Sequence, residues 1–128
     1  MSEENVEIVR RAYDALDGRD WDALFNDTSP EFRMETQLQG SYRGREAVQA
    51  FLEDQDDSFG SWTTEPQEFF DSKDQVAVIV KVTARPKGSS AAIEIRNGHL
   101  WTLQDGAILS LATFPKPGEA LEAAGLSE

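Results

Sequence analysis

Two side chains able to move protons lie within alternating apolar segments of the chain. His99 is one of two polar residues on an otherwise apolar strand face, and Glu35 follows Met34 in a shorter alternation. That strand face carries Ile93, Ile95, Asn97, His99, Trp101 and Leu103. An imidazole titrates near pH 6.5, and burial raises the pKa of a carboxylate, so the pair could supply general acid–base chemistry. Glu35 as base and His99 as hydrogen-bond donor form the catalytic hypothesis.

Each of the two residues also has a structural interpretation. His99 could be a core histidine whose ring bonds a backbone carbonyl or a side chain of the first helix. Glu35 shares a strand face with Arg33, and an exposed ion pair of this kind contributes little to stability. A catalytic Glu35 requires that this face turn toward a cavity at the end of the strand. Both interpretations stay open from the sequence.

Other residues could bind a substrate beside this pair. Asn97 is a neutral hydrogen-bonding group near His99, and Tyr13 could direct its hydroxyl toward a carbonyl. The same aromatic and apolar residues could equally belong to an ordinary core. The expected apolar wall of the pocket consists of Trp21, Met34, Phe51, Phe59 and Trp101.

The composition excludes several other kinds of site. The 128 residues include no Cys and one His, which rules out thiol chemistry, disulfides and multi-histidine metal sites. The acidic run over residues 53–57 is followed by Phe59 where a calcium loop needs glycine. No glycine-rich phosphate loop or nucleophile elbow is present in the sequence. We therefore expect no metal and no cofactor.

The charge balance limits the partners. Asp and Glu number 24 against 12 Lys and Arg, for a net charge of −12, which argues against nucleic acid and anionic membranes. The first residues have neither a basic start nor an apolar run of signal-peptide length. We expect a cytoplasmic protein that binds a small apolar or carbonyl-containing molecule.

Periodicity predicts the elements that must position these residues. Apolar residues recur every three or four positions in the helices and every second position in the strands. We predict helices over residues 5–16 and 21–25 and after Gly44, and a closing helical turn over residues 119–124. Strands are predicted around Phe32, Met34 and Leu38, and over residues 63–71, 75–85, 92–104 and 107–114. The order indicates one α+β domain over residues 1–128, with a long, curved, antiparallel sheet.

One strand has two apolar faces. In the segment over residues 75–85, valines at every second position lie opposite Ala77 and Ile79. Three helices cannot cover both faces of such a sheet, so a second subunit would cover the other face. We expect a homodimer formed through the sheet.

Several stretches carry a family resemblance. They are Val-Arg-Arg-Ala-Tyr-Asp-Ala-Leu at 9–16, Gly-Arg-Asp-Trp-Asp-Ala-Leu at 18–24, Tyr-Arg-Gly-Arg-Glu-Ala-Val at 42–48 and His-Leu-Trp-Thr-Leu-Gln-Asp-Gly at 99–106. With them the chain resembles the nuclear transport factor 2-like superfamily, and within it the SnoaL-like branch related to polyketide cyclases and ketosteroid isomerase. The resemblance implies a cone-shaped sheet wrapped around a long first helix, with an apolar cavity at the open end.

The resemblance also implies positions for catalytic residues. Ketosteroid isomerase uses an Asp base and an oxyanion hole made by a Tyr and a protonated Asp. The base position falls on Glu35 and the protonated-Asp position on His99. The tyrosine position falls on Ala12, one residue before Tyr13, which displaces that donor by about 100° around the helix. The isomerase set is therefore incomplete.

Three functions are consistent with these observations. The first is cofactor-free acid–base catalysis of the isomerase or cyclase type, in which Glu35 removes a proton α to a carbonyl. The second is non-catalytic small-molecule binding, and the third is a dimerisation or interaction module. The missing tyrosine favours the second over the first, whereas Asn97 and His99 favour either over the third.

Overall fold

The computed structural model describes residues 2–126 and leaves the side chains of Ser2 and Phe59 outside the description. Within that range the chain forms four helices and one six-stranded sheet. The helices are α1 (Ser2–Asp17), α2 (Trp21–Asn26), α3 (Gly44–Phe59) and α4 (Pro117–Ala123). The strands are β1 (Thr28–Thr36), β2 (Gly40–Arg43), β3 (Ser61–Ser72), β4 (Gln75–Arg85), β5 (Ile93–Gln104) and β6 (Ala107–Phe114). None of the described helices combines the length and apolar character that a membrane crossing needs.

The sheet has the strand order β2-β1-β6-β5-β4-β3. Strands β3 to β6 form an antiparallel meander, and the last of its turns is Asp105-Gly106, both with positive φ. The predicted α+β fold with a curved, open sheet is confirmed. The expectation of a wholly antiparallel sheet is wrong at one position, because β1 pairs with β6 in parallel. These two strands meet only after the chain has run through α3 and the meander.

The turn after β1 also differs from the prediction. Leu38 lies in this turn rather than on a strand face and is 84% exposed. The Thr36 hydroxyl accepts a hydrogen bond from the Gln39 amide and donates one to the Gly40 carbonyl, both at 2.8 Å. These bonds turn the chain back into β2, a four-residue strand that the sequence pattern did not predict.

The main core fills the space between the concave face of the sheet and helices α1, α2 and α3. Helix α1 contacts β3 and β4, while α3 contacts β1, β2 and β3. Tyr13, Trp101, Leu103 and Ile108 are the largest fully buried side chains of this core. The long first helix therefore lies in the trough of the sheet, where its apolar stripe is removed from water.

Helix α4 covers part of the outer face of the sheet. Ala77 and Leu100 pack there against Ala120 and Leu121 in a second apolar cluster. At Gly98, a Cβ atom would lie 2.7 Å from Cβ of Ala120, so the helix comes too close for any side chain. The apolar outer face of β4, from which we expected a dimer, is thus covered within the same chain.

Candidate functional site

A cavity of about 490 Å³ opens between the concave face of the sheet and the helices. Residues from α1, α2, α3 and five strands line it, and most of the lining is apolar. Its buried part includes Leu16, Leu24, Phe32, Met34, Val48, Phe51, Leu52, Trp101 and Leu111. Its exposed members, Leu38, Gln39 and Ile95, mark the mouth. The volume suits a small organic molecule.

The structure brings five of the nine predicted site residues together in this cavity. Met34, Phe51, Asn97, His99 and Trp101 all line it. Trp21 does not, because it packs part-buried at the start of α2 against the main core. The side chain of Phe59 lies outside the described residues.

Glu35 lies outside the cavity, which corrects the expectation that it acts there as the base. Its neighbours Met34 and Thr36 line the cavity, whereas Glu35 is exposed. It stands beside Ala112 of β6, which packs against the outer apolar cluster. Because successive strand residues point to opposite faces, the inward Met34 side chain forces Glu35 outward.

Tyr13 does not line the cavity, but its hydroxyl is hydrogen-bonded to His99, which does. The Tyr13 hydroxyl lies 2.7 Å from Nδ1 of His99, and Nε1–H of Trp101 donates to the same hydroxyl at 2.9 Å. All three side chains are buried, with His99 6% exposed. Burial lowers the pKa of His99 to about 4 and raises the pKa of Tyr13 well above its ordinary value, against a smaller lowering by the Trp101 hydrogen bond. The imidazole is therefore neutral at neutral pH.

The hydrogen bonds also define which ring nitrogen of His99 carries the proton. An indole N–H can only donate, so the Tyr13 oxygen accepts from Trp101. The single hydroxyl proton of Tyr13 is then best satisfied by donation to Nδ1 of His99, which assigns the ring proton to Nε2. Within residues 2–126, Nε2 has no hydrogen-bond partner. His99 thus offers the cavity a neutral N–H donor.

The remaining polar groups of the lining carry no charge. Thr64 already bonds Asp17 through its amide and hydroxyl, at 2.9 and 3.0 Å. Asn97 and Thr113 make no side-chain hydrogen bond within the described part of the chain, and Thr113 lies directly across from His99 on β6. Sequence reasoning missed Thr113, because nothing along the chain shows which residue of β6 faces His99. Among the described lining residues, His99 is the one ionisable side chain.

Arg19 supports the wall of the cavity at Trp62. Its guanidinium bonds both carboxylate oxygens of Asp56, at 2.9 and 2.7 Å, and the carbonyl of Trp62 at 2.8 Å. The same group lies 4.3 Å from the centre of the Trp62 ring. Arg19 thereby joins the end of α1 to α3 and β3, and it fixes an aromatic wall residue.

The fold and the cavity together define a class. A cone-shaped sheet wrapped around its first helix, with an apolar cavity at the open end, is the nuclear transport factor 2-like fold. Residues 9–111 match the family model of the SnoaL-like domain, and the chain belongs to this family.

Solved structures share the fold across nearly the whole chain. An NTF2-like protein of unknown function from Burkholderia pseudomallei is 19% identical, with a TM-score of 0.81 over 93% of this chain and 95% of that one. TerC, co-crystallised with polyporic acid, is 19% identical, with a TM-score of 0.80 over 95% of this chain and 98% of its own.

A third solved structure also holds a small molecule. A protein with a ketosteroid isomerase-like fold from Catenulispora acidiphila, in complex with trimethylamine, is 18% identical, with a TM-score of 0.77 over 94% and 93% of the two chains. At these identities the likenesses describe the fold. No curated protein sequence matches the chain.

Proposed function

We propose that this SnoaL-like protein binds a neutral, largely apolar small molecule whose carbonyl oxygen accepts a hydrogen bond from Nε2–H of His99. One observation carries this function. The cavity presents a neutral imidazole, held by Tyr13 with its donor free, within an apolar wall. A ligand that accepts this hydrogen bond pairs with a donor that has no partner among the described residues.

The lining favours a neutral ligand over a charged one. The described lining residues include no Asp, Glu, Lys or Arg. A charged group buried there would lose its hydration without gaining a counter-charge, which is strongly unfavourable. Ligands that are ionised at neutral pH should therefore bind poorly.

Binding without chemistry is the better-supported alternative among the functions considered. Enolisation needs a base within reach of the α-carbon, and Glu35 lies on the outer face. His99 is a poor substitute, because its Nδ1 is occupied by Tyr13 and its Nε2 carries the proton. The α-protons of a bound ketone should exchange with deuterated water no faster than in buffer, as followed by NMR.

Calorimetric titration can test the proposed function directly. We expect 2-decanone to bind and decanoate, of equal chain length but charged at pH 8, to bind at least tenfold more weakly. Replacement of His99 by Leu should weaken the ketone roughly five- to tenfold, since it removes one hydrogen bond. His99→Gln is the matched control, because its amide can accept from Tyr13 and still donate to the cavity. Equal affinity for decanoate, or full affinity in His99→Leu, would contradict the proposed function.

A further inference from the structure

Resting on the proposed function, we infer that the ligand is elongated. Its acceptor oxygen lies at the inner end of the cavity against His99, and an apolar tail runs along β5 to the mouth, where it covers Ile95 and Leu38. The ligand class is a neutral amphiphile with one oxygen function at one end and an apolar chain or flat apolar body behind it.

Strand β5 sets the length of this ligand. His99 is buried, Asn97 is partly buried and Ile95 is exposed, and all three line the cavity from the same strand face. From His99 to Ile95 the strand advances four residues, or roughly 14 Å. A molecule that bonds His99 and ends at the mouth must therefore be about this long.

The mouth is apolar although it faces water. Among the described side chains, the exposed large apolar residues are Leu38 at 84%, Ile93 at 54% and Ile95 at 51%. Leu38 and Ile95 belong to the cavity lining, and Ile95 stands beside Val82, a further lining residue of β4. An exposed apolar surface continuous with an apolar cavity indicates that the cavity's occupant covers it.

The polar residues near the mouth are uncharged. Gln39, next to Leu38, donates its side-chain amide to Gln55 of α3 at 3.4 Å. The described lining there offers no cation to a carboxylate or phosphate head group. The apolar end of the ligand therefore lies at the mouth, and its polar end lies in the buried part of the cavity.

A series of 2-alkanones from 2-hexanone to 2-tetradecanone, titrated calorimetrically into the wild-type protein, tests the inference. Each added methylene that becomes buried should strengthen binding roughly fourfold. We expect the gain to continue while the chain extends toward Ile95 and to stop once it passes the mouth. Short ketones should be bound by the inner cavity alone.

Two variants at the mouth and one control variant on the same strand test where the apolar tail lies. Ile95→Ser and Leu38→Ser should weaken the long ketones roughly tenfold and leave the short ones unchanged, because only long chains reach the mouth. Ile93→Ser is the control, since Ile93 is equally exposed on the same face of β5 but does not line the cavity. It should leave every affinity unchanged.

The outcomes separate the two proposals. If ketones bind but affinity does not grow with chain length, or if Ile95→Ser and Ile93→Ser behave alike, the elongated ligand is wrong and the proposed function stands. If no ketone binds at any length, the proposed function itself is wrong, and the inference falls with it.

Discussion

Burial keeps the His99 imidazole neutral well below neutral pH. A free imidazole changes charge near pH 6.5, yet burial lowers the pKa of His99 to about 4 and Tyr13 occupies its Nδ1. The ring thus works as a fixed donor over the whole neutral range. A hydrogen bond of this kind is stronger in an apolar cavity than in water.

The stability of the protein should depend on pH through His99. The unfolded chain binds a proton on this ring near pH 6.5, whereas the folded chain does so only near pH 4. The unfolded state therefore binds more protons between these values, and the free energy of unfolding falls as the pH drops through this window. We expect the wild type to lose up to about 3 kcal/mol more than His99→Gln between pH 7 and pH 4, measured by urea unfolding. Parallel pH profiles for the two proteins would refute this role of burial.

Of two adjacent residues of β1, only the one that lines the cavity should affect ligand affinity. Glu35→Gln should leave the affinity for 2-decanone within twofold, because its side chain lies on the outer face. Met34→Ala should weaken binding several-fold, since it removes buried contacts from the cavity wall. Calorimetry on both variants checks the pair, and a large effect of Glu35→Gln would restore this carboxylate as a site residue.

At the scale of the elements, the Arg19 side chain connects α1, α3 and β3. The backbone of Arg19 is strained. Its φ of 54° lies in the left-handed region that favours glycine. The strain is offset by the hydrogen bonds to Asp56 and to the carbonyls of Leu16 and Trp62. A single side chain thus holds α1, α3 and β3 together beside the cavity.

Two substitutions of Arg19 separate its contacts from its backbone strain. Both Arg19→Ala and Arg19→Gly remove the guanidinium and should destabilise the fold by about 1–3 kcal/mol. Glycine relieves the strained backbone, so Arg19→Gly should be the more stable of the two by about 1 kcal/mol. Urea unfolding measures both values, and an alanine variant as stable as the glycine variant would show that the backbone stores no strain.

The sequence predicted the local elements better than the long-range ones. Helix α1 and strands β3 to β6 follow from periodicity within each segment, because neighbouring residues decide which face is apolar. The parallel pairing of β1 with β6 could not be predicted, since its partners lie far apart along the chain and parallel strands carry no turn signal.

The candidate site shows the same division. The alternation of β5 correctly indicated a polar pair on an apolar face, and a first-helix side chain was among the expected partners of His99. That this partner is Tyr13 depends on how α1 sits in the sheet, which no single segment encodes. The alternation of Glu35 with the apolar Met34 places Glu35 on the outer face of the sheet. The structure agrees with this alternation and not with the base position that the family resemblance implies.

At the scale of the whole molecule, α4 changes the argument for a dimer. The outer residues Ala77 and Leu100 are buried by Ala120 and Leu121 of the same chain. A homodimer through the sheet remains a prediction that light scattering at micromolar concentration can test. It would have to use a part of the outer face that α4 leaves free.

Removing the contacts of α4 should expose this surface. Leu121→Ala should destabilise the protein by about 2–5 kcal/mol, because Leu121 is fully buried in the outer cluster. Its exposed neighbour Glu122 provides the control, and Glu122→Ala should change stability by less than about 0.5 kcal/mol. Thermal unfolding and light scattering together report the loss and any self-association. Equal stability of the two variants would mean that α4 does not anchor the sheet.

The tight approach of α4 at Gly98 has an evolutionary consequence. Asn97 and His99 face the cavity on either side of a residue whose Cβ would meet Ala120 and the carbonyl of Pro117. A side chain at position 98 could be accepted only by a lineage that also shifts or loses the closing helix. Among relatives, the identity of residue 98 should therefore covary with the presence of α4.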